Sequence, residues 1–72
     1  MGSAYGNLGR AYGSLGQFDK ALEFLHKCLH IAVEVGDRAR EGRSYHNLSV
    51  VYKRLGQSDK AIEFQQKCER MK

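Results

Sequence analysis

The sequence predicts an all-α chain of two tandem helical hairpins, four antiparallel helices stacked as in an α-solenoid. Three observations predict it. Residues 5–32 fall on residues 45–72 without a gap, so "YGNLGRAYGSLGQFDKALEFLHKC" returns as "YHNLSVVYKRLGQSDKAIEFQQKC". About half of the aligned positions are identical, and a period of 20–50 residues marks a stacked repeat architecture. Within each copy the apolar residues step by three and four, and the chain has no proline to interrupt a helix.

The first helix is predicted over 3–15, with Tyr5, Leu8, Tyr12 and Leu15 on one face. Its glycines raise the question of a phosphate-cradling loop. The second copy answers it by carrying His46, Ser49 and Lys53 where the first has Gly6, Gly9 and Gly13. Neither the G-x-x-x-x-G-K-[ST] spacing nor a preceding strand is present. Gly9 is expected at a close helix approach. Gly6 and Gly13 are expected to be merely tolerated, at up to ~1 kcal/mol each relative to Ala. The first helix should then be the least stable and depend on its neighbours.

The second helix, over 18–35, carries its apolar face on Phe18, Ala21, Leu22, Leu25, Cys28, Leu29 and Ala32. Gly16 and Gly56 stand where one helix stops, since glycine enters the left-handed conformation without a steric cost. Asp19 and Asp59 fall in the first turn of the following helices, where negative charge meets the positive dipole end. Gly36 ends the second helix. Asp37 is the expected N-cap of a third over 38–55, with Glu41 near the capping-box position. The fourth spans 58–71. The whole of 1–72 is one domain, with repeat 1 at about 2–35 and repeat 2 at about 38–72.

Tyr-x-x-Leu-Gly-x-x-Tyr in the first helix and Asp-Lys-Ala-Leu-Glu-Phe opening the second resemble the tetratricopeptide repeat. The second copy matches the pattern at Tyr45, Leu48, Ser49, Tyr52, Gly56, Ala61 and Cys68, and departs from it at Gln65, where an apolar residue is usual. That departure weakens packing onto any following repeat. The forty-residue period and the insert "VGDRAREGRSYHNL" resemble the long-repeat spindle-orientation adaptors named for Leu-Gly-Asn, and less closely the kinesin light chains. The triplet itself is replaced by "LGR" and "LSV", and the adaptors' G-protein-binding motifs are absent. The lack of natural flanking sequence fits an excised or engineered fragment.

The resemblance implies a protein-interaction module whose first helices line a concave peptide groove. Mapped residue by residue, it puts Asn7 and Asn47 against a ligand backbone and Arg43, four residues before Asn47, against a ligand carboxylate. Arg10, His46, Val50, Lys53 and Arg54 lie on or beside the same surface. A repeated asparagine also serves as a helix-pairing residue, and surface arginines are commonly just solvated. The basic residues would favour an acidic protein or peptide partner. The alternative is a scaffold fragment without a dedicated ligand that assembles into a homo-oligomer. Two repeats leave apolar faces at both ends with no polar capping helix after Lys72, so copies could stack or swap hairpins. Gly36 opposes the straightened turn that a swap needs.

Other functions find little support. The net charge of +4 comes from twelve basic and eight acidic residues spread along the chain. Arg38, Arg40, Arg43, Lys53 and Arg54 could form a basic stripe, but Asp37 and Glu41 interrupt it and no nucleic-acid motif accompanies it. His26 and His30 have metal-compatible i, i+4 spacing, yet the second copy has Gln66 and Arg70 there. The expectation is an exposed histidine pair, no metal, no cofactor and no catalytic constellation. Cys28 and Cys68 are expected as compact core residues, reduced in a cytoplasmic protein. No stretch approaches the ~18 apolar residues of a membrane span, and the start has neither a secretory signal nor a myristoylation pattern.

Overall fold

The computed structural model describes the backbone over residues 2–71 and the side chains over 7–71. The expectations about packing at Tyr5 and Gly6 lie outside the described side chains. Four helices follow one another: α1 (Gly2–Ser14), α2 (Phe18–Val35), α3 (Arg38–Arg54) and α4 (Ser58–Arg70). The predicted α2 agrees residue for residue, and the other boundaries fall within one residue of prediction.

The three turns are one motif used three times. Gly16, Gly36 and Gly56 take φ of 82°, 73° and 80°. The following N–H groups, of Gln17, Asp37 and Gln57, donate to the carbonyls of Tyr12, Ala32 and Tyr52, each at 2.9 Å. This is the Schellman closure, which satisfies carbonyls that the helix end leaves unpaired. The helix starts differ in their side chains. Asp37 Oδ1 accepts from the Arg40 N–H at 3.1 Å, whereas Gln17 and Gln57 cap nothing with theirs. Glu41 does not complete a capping box, contrary to expectation. It lies one position beyond the third helical residue, and its carboxylate accepts instead from the Tyr45 hydroxyl, one turn on, at 3.1 Å.

Packing runs between neighbours: α1 on α2, α2 on α3, α3 on α4, with a smaller approach of α1 to α3. Ala21 and Leu25 of α2, Leu48, Val51 and Tyr52 of α3, and Ala61 and Phe64 of α4 form the core. Small residues set the spacing. A Cβ on Gly9 would sit 2.7 Å from Leu25 Cγ and 3.3 Å from the Ala21 carbonyl oxygen, closer than side chains tolerate. Gly9 is therefore the close approach that the sequence implied. Ser49 stands in the corresponding place of repeat 2, and its hydroxyl is spent on the His46 carbonyl at 2.7 Å. Ser44 is 1% exposed, and its hydroxyl has no partner.

Cys28 lies in the interior as expected; Cys68 is only half-buried. Cys28 lies on α2, between α1 and α3, whereas α4 packs chiefly against α3, with Phe64 reaching the His26 ring of α2 at 6.1 Å. Gln65, where Leu25 stands in repeat 1, is exposed.

Candidate functional site

α1 and α3 lie on the same side of α2, so residues spaced by helical turns on both helices face a common groove. The groove has two adjoining hollows, of about 660 and about 260 Å³. Arg10 of α1 and His46 and Asn47 of α3 line both and form the saddle between them. Arg38 and Arg43 flank the larger hollow, with Ala39 and Gly42 between them and Cys68 and Met71 of α4 closing its far side. The smaller is walled by Val50, Val51 and Arg54, with Gly13, Ser14 and Leu25 across from them.

Of the residues mapped to the groove, six meet there: Arg10, Arg43, His46, Asn47, Val50 and Arg54. Asn7 is exposed on α1 and lines neither hollow. Lys53 is likewise exposed and outside both. Sequence reasoning missed the contribution of α4, because it took the groove from first helices alone. The identity of Cys68 with buried Cys28 held the clue. A small apolar position in the last described helix lacks the next helix that would bury it.

The groove is electrostatically one-sided. Among the described residues, no carboxylate lines either hollow. The nearest acidic side chains in sequence are engaged elsewhere: Asp37 caps α3 and holds Arg40 Nε at 3.2 Å, and Glu41 holds the Tyr45 hydroxyl. Burial and then this hydrogen bond to Glu41 raise the Tyr45 pKa, which keeps the phenol a donor. Arg10, Arg38, Arg43 and Arg54 have no ion-pair partner among the described residues. Their guanidinium groups are thus available for carboxylate or phosphate oxygens. Arg40, one member of the sequence's basic stripe, points into Asp37 instead.

The two histidines of α2 do not converge. His26 Nε2 lies 3.4 Å from the Tyr52 hydroxyl, and His30 Nε2 lies 2.9 Å from Glu34 Oε1. Among the described residues, no group of three or more His, Cys, Asp or Glu side chains is placed to hold a metal ion. No described helix is long and apolar enough to cross a membrane.

Repeated hairpins with a side-chain-lined groove define a helical-repeat interaction scaffold. The sequence model of the tetratricopeptide repeat matches residues 1–72, the full length of the chain, and the chain belongs to that family. The family is one of protein-interaction repeats, generally without enzymatic activity. No curated protein and no solved structure matches the chain.

Proposed function

We propose that this chain is a peptide-binding module whose α1/α3 groove takes an extended acidic segment of a partner protein. The observation that carries the reading is the set of four arginines around two hollows that no carboxylate of the described residues lines. In this reading Arg43 and Arg10 meet ligand carboxylates, and Asn47 exchanges hydrogen bonds with the ligand backbone. Val50 gives the smaller hollow an apolar wall for a ligand side chain. Asn7 lies at the open edge of the same helix face and would contact a ligand that runs past the hollows. The forty-residue period supports the long-repeat type within the family, and two cysteines without a disulfide suit a reducing cytoplasmic setting.

A panel of fluorescent peptides tests it, each acidic sequence paired with its Asn/Gln isostere. The acidic member should bind, the isostere should not, and Arg43→Ala or Asn47→Ala should weaken binding roughly tenfold or more. Equal binding of both members would sink the reading. An oligonucleotide that binds with a steep loss of affinity in salt would redirect it to nucleic acid.

A further inference from the structure

The arginines and lysines of this chain are sorted by place. Four of its six arginines, Arg10, Arg38, Arg43 and Arg54, line the groove, and no described lysine does. Lys20, Lys27, Lys60 and Lys67 lie over aromatic rings instead, and Lys53 stands outside both hollows. The two cations differ in what they hold. An ammonium is a point charge, whereas a guanidinium presents a planar fork that meets two oxygens of one anion at once. A surface that needed only positive charge would use either.

Three of these forks, from Arg10 of α1 and from Arg38 and Arg43 of α3, share the larger hollow with His46 and Asn47. A carboxylate would bring a single charge and two oxygens to all three. A phosphate monoester brings a charge of about −1.5 to −2 and three strong acceptor oxygens. Its charge and its oxygens both match the donors better.

Gly42 supplies an independent observation. It sits in the interior of α3, where glycine costs helix stability relative to Ala. Packing does not ask for it, since a Cβ there would meet nothing within 4 Å. Gly9 is the contrast, because a Cβ there would collide with Leu25. What Gly42 does is line the larger hollow between Arg38 and Arg43, with Ala39 beside it. The wall between two forks is thus kept low. A tetrahedral phosphate needs that room more than a planar carboxylate does.

We infer that the larger hollow takes a phosphorylated serine or threonine of the partner segment, held by Arg10, Arg38 and Arg43. This rests on the peptide-groove reading and narrows it. Acidic flanks draw the segment in, and the phosphate is the group the forks grip. Gly42 is the residue that keeps the space for it.

Labelled peptides of the form Asp-Glu-Gly-X-Gly-Glu-Asp test it on the full chain, with X as phosphoserine, serine, one glutamate or two consecutive glutamates. The two-glutamate member matches the charge of phosphoserine without its geometry. The phosphoserine peptide should bind roughly tenfold or more tighter than either glutamate peptide. Arg38→Lys keeps the charge and loses the fork, so it should remove most of that preference and change the one-glutamate affinity little. Gly42→Gln should raise the urea midpoint and yet weaken the phosphoserine peptide roughly tenfold, a split that a purely structural glycine would not give. Equal binding of the phosphoserine and two-glutamate peptides overturns the inference and leaves the acidic-peptide reading standing. Unchanged phosphoserine affinity in Arg38→Lys or Gly42→Gln overturns it as well. If none of the four peptides binds, the groove reading falls with it. Tighter binding of oligothymidylate than of the phosphoserine peptide also overturns it, by giving the arginines to a nucleic-acid backbone.

Discussion

Tyr52 and Phe64 stack with their rings 2° from parallel and their centroids 5.5 Å apart, and Tyr12 and Phe24 repeat the arrangement at 4° and 5.5 Å. Each stack joins the two helices of a hairpin. Lysines lie over both rings in both copies: Lys20 and Lys27 at 5.5 Å from Tyr12 and Phe24, Lys60 and Lys67 at 5.8 and 5.2 Å from Tyr52 and Phe64. Ring pairs of this kind add ~0.5–1.5 kcal/mol beyond their area, and exposed cation–π contacts ~0.5–1 kcal/mol. The copies differ in burial. Phe64 is buried and also meets His26 and Tyr45, whereas Phe24 is half-buried. Phe64→Ala should cost about 3–5 kcal/mol and Phe24→Ala less, as read from urea denaturation midpoints. Equal costs would mean that the deeper burial of Phe64 contributes nothing.

His26 makes stability depend on pH. Burial, and then the charge of Lys60, lower its pKa below the ordinary 6.5. As pH falls, the unfolded chain takes up the proton before the folded one does, so stability is lost on going down through 6.5 and past the native value. Thermal unfolding midpoints between pH 8 and pH 5 should show this loss. His26→Gln, the residue that repeat 2 carries at position 66, should flatten the slope. An unchanged slope would assign the effect to other groups.

Ser44 leaves a buried hydroxyl unpaired on a helix where repeat 1 carries Ala4. Removing an unsatisfied buried polar atom without changing the backbone recovers its desolvation cost. Ser44→Ala should stabilise by about 1–2 kcal/mol, measured by chemical denaturation. A loss of stability would reveal a hydrogen bond made in solution.

Two glycines of α1 should respond in opposite directions to the same change. A Cβ at Gly9 collides with Leu25, while one at Gly13 meets Val51 Cγ2 at 3.7 Å and Ala21 Cβ at 3.9 Å, ordinary contacts. Gly13→Ala should stabilise by up to ~1 kcal/mol through helix propensity. Gly9→Ala should destabilise, because Leu25 is fully buried and cannot move aside. Denaturation of the two variants side by side decides it.

The three matched turns offer a cap by transplantation. Asp37 caps α3, while Gln57 holds nearly the same backbone, φ −95° and ψ 73° against −86° and 91°, with no capping bond. Gln57→Asp should let the new carboxylate accept from the Lys60 N–H and add about 0.5–1 kcal/mol. A variant no more stable than the parent would show that this difference in ψ matters.

The helices and their breaks were legible because glycine at a left-handed turn and a three–four apolar step are local chemistry, written twice. The α3 side of the groove was legible for the same reason: Arg43, His46, Asn47, Val50 and Arg54 share a helical face whatever surrounds them. What lies between helices was not. The exposure of Leu8 against the burial of Leu48 depends on a neighbour that no single-residue property encodes. The half-burial of Cys68 and its place in the groove wall arise likewise, from the helix that packs on one side of α4 only. Glu41 was misread on a smaller scale. A capping box and an i, i+4 bond to a tyrosine compete for one carboxylate, and spacing alone does not rank them.

Among the described residues, most packing joins consecutive helices, and α1 and α3 are the pair whose backbones approach each other out of sequence. Arg10 stands on one side of that approach and His46 and Asn47 on the other, all three on the saddle between the hollows. Whatever occupies the groove therefore acts as a splint. It would fasten the first helix directly to the third, and by mass action its concentration would set how firmly α1 is held.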